Sequence, residues 1–139
     1  MARIPRASEV REGQQLPPWR YRVTRQDLVA YANASGDGNP IHQDEGFAKS
    51  VGLPDIIAHG MHTMAKIGQY LTDWAGDPAR VVRFRTRFTS VVVVSETGNE
   101  VTVSGTVRAA DGNRVLVDLS AAVPDGTAVA SAEAEVLLD

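Results

Sequence analysis

Cysteine is absent from the 139 residues. That absence excludes disulfides, thiolate nucleophiles and cysteine-ligated zinc in one step. Stability must then come from packing. An excess of positive charge is missing too: 14 Lys and Arg stand against 17 Asp and Glu, for a formal net charge of −3. The general electrostatic case for nucleic acid therefore falls away. No apolar run approaches the roughly 20 residues that span a bilayer. The N-terminal stretch carries charges without an apolar core segment, so no signal peptide is expected and the cytoplasm is the default compartment. No repeat, low-complexity tract or domain boundary is visible. With 43% hydrophobic and 22% charged residues, the composition is that of an ordinary soluble domain. One domain over residues 1–139 is expected.

What is present divides into helical and strand patterns. Met1 to Pro18 is polar and mixed, and Pro17-Pro18 reads as loop. Trp19 to Val23 alternates apolar and basic residues, the period of a half-buried strand. Thr24 and Asp27 are spaced as a capping box, with Val23 and Leu28 as its hydrophobic staple. Leu28, Tyr31, Ala32 and Ser35 continue on one helical face up to Gly36. Asp44 is positioned to cap a short helix carrying Phe47, Ala48 and Val51, ended by Gly52. Leu53-Pro54-Asp55 is a turn. From Gly60 a long helix is expected, with Met61, Met64, Ala65, Gly68, Leu71 and Ala75 on its buried stripe and Gly76 as its cap.

After residue 80 the period is two. Val82, Phe84, Thr86 and Phe88 alternate with Arg83, Arg85 and Arg87. Further strands run over Val101–Arg108, Val115–Val123 and Ala128–Leu138, joined by Asp111-Gly112-Asn113 and Pro124-Asp125-Gly126. Early helices and a late meander make an α+β pattern, with one long helix lying in a curved antiparallel sheet. A sheet of this size has edges to protect, so a dimer is expected.

The densest chemistry lies in Ser35-Gly36-Asp37-Gly38-Asn39-Pro40-Ile41-His42. Asp37 and His42 are too far apart in sequence for one helical turn, but a tight loop can bring them together. Gly36 and Gly38 supply backbone freedom, Pro40 stiffens the turn, and the Asn39 amide can bond loop backbone. A rigid loop presenting one carboxylate and one imidazole suits general acid–base chemistry. A plain solvated Asx turn is the alternative. Gly60 opens the long helix. Free amides at such an end stabilise negative charge, and a glycine lets a substrate carbonyl approach them. An enolate-forming reaction needs donors placed in this way.

Tyr31-Ala32-Asn33-Ala34-Ser35-Gly36-Asp37-Gly38-Asn39-Pro40-Ile41-His42, followed by Ala48 and then Ala58-His59-Gly60-Met61, resembles the MaoC-like, or (R)-specific "hydratase 2", branch of the hot-dog superfamily. Leu16-Pro17, Thr24 to Leu28, Val51 to Leu53 and Trp74 to Pro78 extend the likeness. In these details the chain is similar to the catalytic B-type subunits of actinobacterial (3R)-hydroxyacyl-ACP dehydratases. The resemblance implies a hot-dog fold, a catalytic dyad of Asp37 and His42, and an oxyanion hole at the Gly60 amide. It implies a 3-hydroxyacyl or trans-2-enoyl thioester substrate on CoA or acyl carrier protein (ACP), in fatty acid or related acyl metabolism, without metal or redox cofactor. Asn39 and Met61 are the expected substrate-binding residues. A homodimer, or a heterodimer with a second hot-dog subunit, is implied. Some hydratases carry a serine where this chain has Gly68. The alternatives are a hot-dog acyl thioesterase and a non-catalytic acyl-binding partner subunit.

Other groups have plainer readings. His59 and His62 with Asp55 have a spacing that could ligate metal, but a third helical ligand is lacking, and His59 is expected to set the helix start. Arg83, Arg85 and Arg87 read as a solvated strand face, or as a patch for an acidic carrier protein or CoA phosphates. Met61, Met64 and Trp74 read as core, and Tyr31 as packing under the motif loop.

Overall fold

Alternating apolar residues build the sheet, and one strand precedes the helices. The computed structural model describes residues 4–139, so residues 1–3 of the expected N-terminal loop lie outside the described residues. In chain order the elements are β1 (Gln15–Val23), α1 (Arg25–Ser35), α2 (Glu45–Ser50), α3 (Gly60–Ala75), β2 (Val81–Phe88), β3 (Asn99–Asp111), β4 (Arg114–Ala122) and β5 (Ala128–Leu137). The strands form one antiparallel sheet in the order β1-β3-β4-β5-β2. The meander β3-β4-β5 is central, and β1 and β2 are its two edges.

The period-two pattern holds best in the centre. Val101, Val103 and Val107 on β3, Val115, Val117 and Leu119 on β4, and Val129, Ala132 and Val136 on β5 are all buried. They form one apolar cluster with Leu28, Ile67, Leu71 and Leu138. Thr24 caps α1 as expected: its side chain accepts from the Asp27 N–H, and the Asp27 carboxylate accepts from the Thr24 N–H. Such a cap is worth about 1 kcal/mol. Gly36 closes the helix at φ 80°, in the left-handed region.

In five places the structure departs from the plain reading of the sequence. Pro17 and Pro18 lie inside β1, where the register against β3 shifts between Leu16 and Trp19. Proline has no N–H for a ladder, and an edge strand with a bulge accommodates that loss. The segment before β1 is also not all loop: Ala7–Glu9 form a 3-10 turn, and Val10 joins the core.

The buried face of α3 is rotated from the expected stripe. Leu71 and Ala75 are buried, but Met61 and Ala65 are exposed, and Met64 and Gly68 are half-buried. Thr63, Ile67 and Tyr70 turn inward with Leu71. Ile67 and Tyr70 bury more apolar area there than Ala65 and Gly68 would, and this decides the rotation.

On α2 only Ala48 is buried, while Phe47 and Val51 are exposed. A helix of 6 residues has too few turns to bury a stripe.

The apolar residues of β2 are the last correction. None of that strand is fully buried, and Val82 and Phe88 remain 52% and 48% exposed. As the outer edge, β2 has a neighbour on one side only. Its phenylalanines meet α3 at the two glycines: a Cβ on Gly60 would lie 3.4 Å from the Phe88 ring, and one on Gly68 would lie 3.5 Å from Phe84. The spacings agree. Eight helical residues advance about 12 Å, and four strand residues advance about 13 Å.

Candidate active site

The motif loop is held by its own short side chains. Ser35 Oγ accepts from the Asp37 N–H (3.2 Å), Asp37 Oδ1 from the Asn39 N–H (3.2 Å), and Asn39 Oδ1 from the Ile41 N–H (3.1 Å). Each is a bond two residues along, the geometry for which Ser, Asp and Asn favour turns. Asn39 is extended before proline, and Pro40–His42 form a 3-10 turn. This turn carries His42 inward, to 7% exposure, while Asp37 and Asn39 stay exposed.

His42 is fixed by the chain on the far side. Its Nδ1 lies 2.6 Å from the Ile57 carbonyl oxygen. A carbonyl only accepts, so Nδ1 carries the proton and Nε2 presents a lone pair in the neutral ring. Ile57 is itself tied down: its N–H donates to Ile41 O, and the Ala58 N–H to Val92 O. Asp55, next to this segment, is paired with Arg25 at 2.8 Å. Burial holds the His42 pKa below the ordinary 6.5, against an opposing pull from the Ile57 bond and from Asp37.

His59 belongs to this cluster. It is the N-cap residue of α3, as expected, but its side chain makes no capping bond. Its ring stacks on His42, with centroids 3.7 Å apart and planes 23° from parallel. Its Nε2 donates to the Asp37 carbonyl at 3.1 Å. Tyr31 packs on His59 at 4.7 Å and on His62 at 5.4 Å, and so lies under the loop as expected. Sequence reading missed the role of His59 in the loop; its place immediately before Gly60 was the available signal.

Asp37, His42 and His59 each offer a ligand atom within 4.8 Å of the others. This is the group that forms, rather than His59, His62 and Asp55. Two of its ring nitrogens already donate to carbonyls. The set suits proton transfer better than closed metal ligation.

His42 and Gly60 open on a cavity of about 250 Å³, with Ile57, Thr63, Phe88 and Val129 among its walls. The Gly60 N–H, the first of α3, has no acceptor within the helix. Met61 stands exposed beside it. A larger depression, about 450 Å³, lies among Arg83, Arg108, Arg114 and Glu133 on the outer face of the sheet. Those four side chains are exposed to solvent, so the smaller, apolar-walled cavity is where the chemistry gathers.

An antiparallel sheet holding one central helix, with this carboxylate–imidazole loop at the helix N-terminus, is the hot-dog arrangement of MaoC-type dehydratases. Residues 8–123 match the MaoC like domain, and the chain belongs to that family. A solved "MaoC-like dehydratase" superposes with a TM-score of 0.94 at 36% identity, over 98% of this chain and 43% of the other. The unliganded R-hydratase PhaJ1 of Pseudomonas aeruginosa superposes at 0.84 with 27% identity, over 96% of this chain and 84% of the other. The 3-hydroxyacyl-thioester dehydratase Y of Mycobacterium tuberculosis is 33% identical over 119 residues, 84% of this chain and 38% of that protein. The chain thus spans well under half of that relative's length.

Proposed function

We propose that this protein is an (R)-specific 3-hydroxyacyl thioester dehydratase, equally a trans-2-enoyl thioester hydratase, acting in fatty acid or related acyl metabolism. The observation that carries the reading is His42 at the wall of the Gly60 cavity, its Nδ1 committed to the Ile57 carbonyl, with Asp37 offering a ligand atom within 4.8 Å of it. One water fits between two such acceptors, a hydrogen to each. Its oxygen adds to C3 of the enoyl thioester while a proton passes by way of the pair to C2. Charge develops on the thioester oxygen, where the Gly60 N–H and the helix dipole stabilise it. In dehydration the same groups take the C2 proton and protonate the leaving hydroxyl. Asn39 holds the loop, and Met61 lies at the mouth where an acyl chain or pantetheine arm passes. The acyl group is carried on CoA or acyl carrier protein, and the reaction runs in the cytoplasm.

The exposed Val82 and Phe88 on an unpaired edge support a second hot-dog subunit docking along β2, either a second copy or a different chain. No helix among the described residues is long and apolar enough to cross a membrane. The test is absorbance of crotonyl-CoA with purified protein, with free thiol assayed in parallel. Loss of the enoyl band with (R)-3-hydroxy product supports the reading. Thiol release without hydration would make the protein a thioesterase.

A further inference from the structure

His59 touches each part of the proposed site by a different means. Its ring covers one face of His42, at 3.7 Å between centroids. Its Nε2–H holds the main-chain carbonyl of Asp37 at 3.1 Å. Its own carbonyl accepts from the His62 N–H at 3.1 Å in the first turn of α3, which starts at Gly60. Tyr31 closes on the ring at 4.7 Å. At 2% exposure the side chain has no solvent role, and Nδ1 is buried with no partner among the described residues. A buried ring nitrogen left without a bond carries a desolvation cost. A phenylalanine would fill the same space without that cost, so the imidazole is kept for what Nε2 and the flat ring do together.

We propose that His59 is a positioning residue that fixes the Asp37 carboxylate and the His42 imidazole relative to each other and to the Gly60 amide. The hydrogen bond sets the loop backbone from which the Asp37 side chain projects. The stack sets the plane of His42, whose other anchor is the single bond to Ile57. Removing either leaves the pair one constraint short. The kinetic consequence rests on the hydratase reading above; the geometric one does not.

The experiment compares wild type with His59→Ala, His59→Gln and His59→Phe, in enoyl-CoA hydration and in NMR titration of the histidine rings. The chain has 3 histidines, so His42 is assigned by its loss in His42→Ala. In His59→Ala, kcat falls about 10²-fold, the loss that a misplacement of about 1 Å brings, while KM barely moves. His59→Gln, which can still donate to Asp37 O, regains most of that loss. His59→Phe keeps the ring but not the donor and does not. The His42 midpoint rises in His59→Ala, because water reaches the uncovered face, and stays low in His59→Phe. Wild-type kcat in His59→Ala overturns the proposal. So do equal losses in all three variants that track a lowered melting temperature. If wild type hydrates no enoyl thioester, the functional reading fails and the titration decides: an unchanged His42 midpoint in His59→Ala then overturns the proposal, and a raised one supports it.

Discussion

Nδ1 of His42 lies 2.6 Å from the carbonyl oxygen of Ile57, and that contact fixes which ring nitrogen is free. It also sets the direction of the pH response. Burial is the largest influence and lowers the His42 pKa, so neutral imidazole persists below the usual 6.5. The acid limb of kcat/KM is expected below pH 6.5. The stability sign follows from linkage. The unfolded chain takes up its proton near 6.5, before the folded one does, so stability is complete above that pH and declines as pH drops toward the lower folded value. His62, also lowered by burial, acts in the same direction. Urea midpoints between pH 5 and 8 check this.

Asp37→Asn and His42→Ala are each expected to reduce hydration by about 10²-fold to 10⁴-fold, the range of general acid–base catalysis. Both should keep the wild-type circular dichroism spectrum. Full activity in either variant would remove the dyad. Prolonged EDTA treatment should leave the rate unchanged.

The two glycines of α3 should separate function from stability. A Cβ on Gly68 would meet Phe84 at 3.5 Å, an ordinary contact, so Gly68→Ala should stabilise the helix by up to about 1 kcal/mol. Melting temperature reads this. A Cβ on Gly60 would crowd Phe88 at 3.4 Å and stand beside the cavity. Gly60→Ala should lower kcat/KM with little change in melting temperature.

Val82→Asp places a charge on the exposed apolar edge of β2. A shift to a smaller species in light scattering is expected, with activity reduced in parallel. Unchanged mass would move the subunit contact away from this edge.

The arginine strand is less uniformly basic than its sequence suggests. In register, Arg83 faces Glu135 and Arg85 faces Glu133, whereas Arg87 faces Ser131. Arg87→Glu is therefore expected to raise KM for a carrier-protein substrate more than Arg83→Glu does. Equal effects would leave all three as solvated surface.

The features read correctly from sequence were those whose partners lie nearby in the chain. The Thr24 capping box, the Gly36 stop and the Asn39 turn each close within a few residues. The alternation of β3 and β4 was legible because both strands are central and bury one face over Val101–Val107 and Val115–Ala121. Asp37 and His42 stood out through residue type and tight spacing. The rotation of α3 did not, because Ile67 and Tyr70 win their inward places only against the finished sheet. The position of His59 depends on a carbonyl 22 residues upstream. The exposure of β2 follows from sheet order, which periodicity does not encode.

That strand order also bears on the time course of folding. β3, β4 and β5 are joined by short turns and can zip as successive hairpins. β1 must wait, since Gln15 pairs with Thr106 across most of the chain. Such distant pairings slow a fold toward the range of milliseconds to seconds. Trp19 lies on that late strand and Trp74 on α3, so tryptophan emission during refolding should report the docking of the edge after the meander has formed. A Trp19→Phe variant that loses the slow fluorescence phase but keeps its refolding rate by circular dichroism would identify β1 as the last piece to arrive.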